Sequence, residues 1–126
     1  MMQILLVAMG GAAGSVTRYL ATLAAAQALG TQFPWGTLLV NIVGSFLMGL
    51  VIALGAHKLQ LSNELRLALT TGFLGGFTTF SAFSLDFATL FERKDYALAA
   101  LYLAGSVGLS ILALFAALIL VRQWQT

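Results

Sequence analysis

Four long hydrophobic segments run along the chain and are separated by three short polar stretches. A membrane-spanning helix needs about 20 mostly apolar residues, and each of the segments reaches that length. The predicted spans cover residues 3–29, 35–56, 65–91 and 96–121. This pattern predicts an all-α membrane protein whose residues 1–126 form a single domain of four transmembrane helices.

The third segment is too long and too rich in glycine to be one regular span. Its 27 residues would extend about 40 Å as a continuous helix, whereas the hydrocarbon core is about 30 Å thick. Glycine is a poor helix former, and the hydroxyl side chains nearby can replace lost backbone partners. We therefore predict two half-helices joined by an unwound piece from Gly75 to Thr79. One tilted helix whose small residues permit close packing is the alternative.

Composition places the chain in a membrane and argues against several other classes of function. The chain is 60% hydrophobic and 8% charged, whereas soluble domains carry about 25% charged residues. It has no cysteine and one histidine, His57, so neither a thiolate site nor a histidine metal cluster is expected. The basic residues are scattered, which indicates no nucleic-acid partner. With so few catalytic side chains, an enzyme is not expected.

Positive charges at the two ends of the predicted spans are nearly balanced. Lys58, Arg66 and Arg122 fall on the side of the N-terminus, and Arg93 and Lys94 fall on the other side. This small excess gives the positive-inside rule little to act on. A chain with balanced flanks can insert both ways, and two opposed copies would form an inverted pair. The alternative is one orientation, fixed by the extra charge or by an assembly partner.

Polar residues inside the first two spans are candidates for an ion path. Arg18 is a charge well inside the first span, which is a functional hypothesis by default. The alternative is a structural arginine tied to backbone carbonyls. Thr37, Asn41 and Ser45 share one face of the second span. We interpret Asn41 as a donor to a permeating anion or, alternatively, as an interhelical hydrogen-bonding group.

The fourth span repeats this spacing with three hydroxyl side chains, Tyr102, Ser106 and Ser110. Hydroxyls in a row can replace water around an anion without binding it too tightly, although a packing seam of small residues is the alternative. Phe80 and Phe83 lie beside the predicted break. Because the edges of aromatic rings carry positive partial charge, they can face an anion. Ordinary core packing is the alternative for this pair.

Two runs of sequence closely resemble the Fluc/CrcB family of bacterial fluoride channels. They are residues 72–84, GFLGGFTTFSAFS, and residues 35–41, WGTLLVN. The similarity covers essentially the whole chain, including its length, its four spans and Arg18. It implies a passive fluoride-selective channel that exports fluoride from the cytoplasm and so lowers its toxicity. It also implies an antiparallel, dual-topology homodimer in the inner cell membrane, with a broken third helix.

The resemblance implies roles for individual residues as well. Backbone carbonyls of Gly75 and Thr78, two from each subunit, would hold a structural sodium ion on the dimer axis that is not transported. Arg18 would lie in the vestibule near the pore entrance. The candidate residues of the fluoride pore are Thr37, Asn41, Thr79, Phe80, Phe83, Tyr102, Ser106 and Ser110.

Two positions depart from the family pattern, and two other functions compete with the channel. Ala82 stands where many members have threonine, and Asp86 stands where glutamate is commoner. A small multidrug antiporter, also a four-helix dual-topology dimer, needs an acid in its first helix, but the first span holds Arg18 and no acid. A non-transporting assembly subunit would explain the small-residue seams but not the hydroxyl tracks.

Overall fold

The computed structural model describes residues 1–57 and 60–125, and the regular elements in this part of the chain are all helices. Lys58, one of the charges counted toward orientation, lies outside the described residues. The helices are α1 (Met2–Leu29), α2 (Trp35–His57), α3 (residues 63–77), α4 (Phe80–Glu92) and α5 (Tyr96–Gln125). Among them α1, α2 and α5 are each long and apolar enough to cross a membrane in one piece.

Helix α3 changes its winding along its length. It consists of an α-helical turn, Asn63–Leu67, a π-helical stretch, Ala68–Leu74, and a final α-helical turn, Gly75–Phe77. The Ser62 side chain begins the helix by accepting a hydrogen bond of 3.2 Å from the backbone N–H of Leu65. A π-helix is rare and occurs frequently at functional sites, and this one leads directly to the break.

The predicted interruption of the third segment is confirmed, but it is narrower than the sequence suggested. Only Thr78 and Thr79 leave the helix, with extended backbones at φ −93° and −156°. The prediction that unwinding starts at Gly75 is wrong. The backbone N–H and the hydroxyl of Thr78 both donate to the Leu74 carbonyl, at 3.0 and 2.9 Å. These bonds complete the last turn of α3 and hold Gly75 in a helical conformation.

Close contact between glycines fixes α3 against α1. A Cβ atom built on Gly10 would lie 2.5 Å from the Ala68 carbonyl oxygen, and one built on Gly76 would lie 2.6 Å from the Gly11 carbonyl oxygen. The two backbones therefore approach as only small residues permit. On the other side of the molecule α2 packs along α5, with Gly49 against the backbone of Leu114. The break therefore lies between two closely packed helix pairs, α1 with α3 and α2 with α5.

Candidate ion pathway

An open groove of about 300 Å³ lies between α2, the break and α5. It brings together six of the eight predicted pore residues, from four different parts of the chain. The six are Asn41, Thr79, Phe80, Phe83, Ser106 and Ser110. Its polar groups are amides and hydroxyls without a full charge, while its walls are otherwise aromatic and aliphatic. Such a lining suits a small ion that must be held weakly enough to leave.

Asn41 is bound to the break by two hydrogen bonds. Its side-chain oxygen accepts the backbone N–H of Thr79 at 2.8 Å, and its side-chain nitrogen donates to the Thr79 carbonyl at 3.0 Å. The interhelical hydrogen bond considered from the sequence is therefore present. An amide nitrogen carries two hydrogens, and one of them remains for the groove that Asn41 lines.

Thr79 starts α4 with its side chain. Its hydroxyl oxygen accepts the backbone N–H of Ala82 at 3.1 Å and lies 3.2 Å from the Ser81 hydroxyl. Threonine is a favoured residue at this capping position because it satisfies one of the free N–H groups of the first turn. The Thr79 side chain therefore has a structural role as well as a place in the groove.

The break leaves the Gly75 and Thr78 carbonyls without their helical partners. In an unbroken helix the Thr79 N–H would reach the Gly75 carbonyl, but it donates to Asn41 instead. The Ala82 N–H would reach the Thr78 carbonyl, but it donates to the Thr79 hydroxyl. The described residues contain no cluster of three His, Cys, Asp or Glu side chains. Unpaired carbonyl oxygens are costly in a membrane, and oxygen ligands of this kind suit a hard cation.

Arg18 contacts the last turn of α3. Its side-chain Nε donates to the Gly76 carbonyl at 3.0 Å, and the residue is half-buried. The structural arginine considered from the sequence is thus supported. A cation at the C-terminal end of a helix also stabilises the helix dipole. The location of Arg18 in a vestibule stays a prediction.

Three aromatic rings follow one another from the break to the N-terminal part of α5. The centroids of Phe80 and Phe83 are 5.4 Å apart, and those of Phe83 and Tyr102 are 5.1 Å apart. Phe83 is buried, whereas Phe80 is 67% exposed and projects from the single chain. The row therefore joins the open groove to the buried Tyr102.

Tyr102 contacts Phe83 of the groove and Asp86 of a second cavity. This cavity has a volume of about 200 Å³ and is lined in part by Thr37, Asp86 and Arg93. The Tyr102 hydroxyl donates to Asp86 Oδ2 at 3.1 Å, and Thr37, which lines the second cavity, is buried. Thr37 and Tyr102 therefore lie beyond the groove. The sequence assigned no role to Asp86, because nothing in the local pattern relates it to a tyrosine 16 residues later.

The last two members of the hydroxyl row are unpaired. The hydroxyl oxygens of Ser106 and Ser110 are buried and have no hydrogen-bond partner within residues 1–57 and 60–125. A buried hydroxyl without a partner costs about 1–3 kcal/mol. Both serines line the groove, and their hydroxyls form no hydrogen bond with another described residue.

Comparison with known proteins identifies the family to which a chain with these features belongs. Residues 5–118 match the family described as CrcB-like protein, Camphor Resistance (CrcB). The chain belongs to the CrcB family. The resemblance seen in residues 35–41 and 72–84 is therefore confirmed.

This CrcB-family chain has full-length relatives in several bacteria. It is 57% identical to a protein of Agrobacterium fabrum over 123 residues, and 56% identical to one of Chelativorans sp. over 123 residues, each alignment covering 98% of both chains. It is 56% identical to a protein of Rhizobium etli over 122 residues, which cover 97% of this chain and 98% of the relative. All three are named fluoride-specific ion channel FluC.

Proposed function

We propose that the protein is a passive, fluoride-selective ion channel that lets fluoride leave the cytoplasm and so lowers its toxicity. The observation that carries the proposal is the groove lined by Phe80, Phe83 and two serines, Ser106 and Ser110, whose buried hydroxyls have no hydrogen-bond partner among the described residues. The names of the full-length relatives indicate that the ion is fluoride. A channel of this kind performs no chemistry on the ion, so the protein is not an enzyme.

The lining of the groove matches the needs of fluoride. Fluoride holds its water strongly, so a pore must offer several weak donors in succession instead of one strong cationic trap. The free N–H of Asn41, the serine hydroxyls and the positive edges of the phenylalanine rings supply them. Undissociated acid crosses the membrane and releases fluoride inside. An inside-negative potential, worth about 2.3 kcal/mol per charge per 100 mV, then drives the anion out.

The working form we propose is an antiparallel homodimer of four-span subunits in the inner cell membrane. Helix α4 has 13 residues and is about 20 Å long, so it completes a span of about 30 Å only together with α3. The groove is open along one side. Phe80 is exposed directly after the break, and Gly75 is exposed in the last turn of α3. A second copy in the opposite orientation would cover these groups, and the nearly balanced flanking charges permit it.

A structural sodium ion at the centre of this dimer is part of the proposal. The Gly75 and Thr78 carbonyls, two from each subunit, would bind it, since both have lost their helical N–H partners. When bound, the ion supplies a positive charge that neutralises these oxygens and raises the potential for anions nearby. It stays in place and is not transported.

The decisive experiment measures ion efflux from liposomes that contain the purified protein. Fluoride release is followed with a fluoride electrode and chloride release with a chloride electrode, under a potassium diffusion potential. We expect rapid fluoride efflux and no chloride efflux above that of protein-free vesicles. Proton-coupled uptake of a cationic drug would instead support an antiporter, and the absence of any flux would support an assembly subunit.

Removing the unpaired hydroxyls should separate stability from transport. In Ser106→Ala a buried, unpartnered oxygen disappears, so the free energy of unfolding is expected to stay level or to rise by about 1 kcal/mol. Fluoride efflux is expected to fall about tenfold because the groove loses a donor. Thermal unfolding and the liposome assay measure the two effects. Loss of stability with unchanged efflux would show that the serine serves packing, and Ser84→Ala, on an exposed face of α4, is the control.

A further inference from the structure

The side chain of Asn41 is bound to the backbone of the break, which goes beyond its place in the lining of a pore. Its oxygen accepts the Thr79 N–H and its nitrogen donates to the Thr79 carbonyl. The two bonds, 2.8 and 3.0 Å long, pair one side-chain amide with both polar groups of one backbone residue. Asn41 lies 38 residues before Thr79 in the chain, so the bonds join α2 to the interrupted span.

The N–H of Thr79 depends on this partner. Its helical acceptor would be the Gly75 carbonyl, which is out of reach because α3 ends at Phe77. A backbone N–H without a partner is strongly disfavoured in a membrane, where water is not there to replace it. Loss of the Asn41 amide would therefore favour a return of Thr79 toward helical geometry, which would close the break.

Thr79 also determines the positions of its two neighbours. Thr78 before it bears one of the carbonyls left without a helical N–H, and Phe80 after it is the first residue of α4. With φ −156° and ψ 125°, Thr79 is the extended residue that turns the chain between them. Whatever fixes Thr79 therefore fixes both the open carbonyl and the ring at the groove.

We propose that Asn41 is a positioning residue that holds Thr79 extended and thereby keeps the helix break open, in addition to lining the groove. Its effect on fluoride passage, which rests on the proposed function, acts through the placement of Phe80. Ser45 provides a natural comparison, because it lies one turn further along the same face of α2 and lines the same groove.

Amide hydrogen exchange at Thr79 tests the proposal in the full-length protein, isotope-labelled and studied by NMR in lipid nanodiscs. Asn41→Leu keeps the approximate size of the side chain but removes both bonds. Asn41→Asp keeps an oxygen that accepts the Thr79 N–H. Ser45→Ala is the matched control. Asn41→Ser, whose hydroxyl is too short to reach Thr79, replaces the leucine variant if that variant does not fold.

We expect the protection of the Thr79 amide to fall about tenfold to a hundredfold in Asn41→Leu, as for the loss of a buried hydrogen bond. Protection is expected to remain within about threefold of the parent in Ser45→Ala, which leaves the Asn41 amide intact. It is expected to fall less in Asn41→Asp than in Asn41→Leu, because aspartate keeps an acceptor for the Thr79 N–H but loses the donor to the Thr79 carbonyl. Equal protection in Asn41→Leu and the parent would overturn the proposal, as would equal losses of protection in Asn41→Leu and Ser45→Ala. The measurement needs no ion flux, so its outcome is independent of whether the protein conducts fluoride.

Discussion

Fluoride efflux is expected to fall severalfold, up to about tenfold, when Phe80 is replaced by isoleucine, while the protein stays folded. Phe80 is 67% exposed in the single chain and its ring lies 5.4 Å from that of Phe83. Little core packing is therefore lost in Phe80→Ile. What disappears is the positively polarised ring edge, and interactions of this type are worth about 0.5–1.5 kcal/mol each, or up to about tenfold in a rate.

The liposome efflux assay measures this effect, and Phe91→Ile is the matched control. Phe91 lies on the same helix, is about half exposed, and stacks with Phe87 away from the groove. Its replacement should leave efflux within about twofold of the parent. Size-exclusion chromatography checks that both variants keep the same assembly. Unchanged flux in Phe80→Ile would remove this ring from the pathway.

Replacing Gly14 by alanine is expected to prevent folding, or to lower the free energy of unfolding by about 3 kcal/mol or more. A Cβ atom at this position would overlap the Phe73 carbonyl and lie 3.0 Å from the Phe77 nitrogen. Both obstacles are backbone atoms, which cannot turn away as a side chain can. Overpacking of well-packed sites costs about 1–3 kcal/mol and sometimes more, and here α3 would have to move away from α1.

Gly11→Ala is the control for this substitution. Its effect on the free energy of unfolding is expected to have the opposite sign. A Cβ atom on Gly11 meets only the Gly72 carbonyl oxygen, at an ordinary contact distance of 3.8 Å. Alanine is a better helix former than glycine by about 1 kcal/mol, so this variant should be as stable as the parent or slightly more stable. Thermal unfolding in detergent distinguishes the two, and equal stability would contradict the close packing of α1 on α3.

Hydropathy was sufficient to predict the long helices, because a membrane imposes one physical rule on every spanning segment. The helices α1, α2 and α5 therefore follow the predicted segments closely. The interruption of the third segment was also predictable, since glycine weakens a helix and threonine can cap one. Its limits were not, because the last turn of α3 is closed by the Thr78 hydroxyl and the break is held by Asn41 from another helix.

For the site, the sequence could predict which residues share one face of a helix, but not which residues of different helices contact each other. Spacing placed Tyr102, Ser106 and Ser110 on one side of a helix, and the structure puts the two serines in one groove. Spacing could not pair Tyr102 with Asp86 or Arg18 with Gly76, since these pairs depend on how separate helices meet. The π-helical winding of Ala68–Leu74 also escaped prediction, as no local residue pattern specifies it.

The glycine contacts between α1 and α3 also bear on how the chain enters the membrane during synthesis. The segment 63–77 is too short to cross the hydrocarbon core. It ends in carbonyl groups without helical partners, which are costly when they are exposed to lipid. Because α1 precedes α3 in the chain, the surface that contains Gly10 and Gly14 is synthesised before the segment that packs against it. The order of the elements in the chain therefore makes the packing surface of the first segment available before the interrupted segment that needs it.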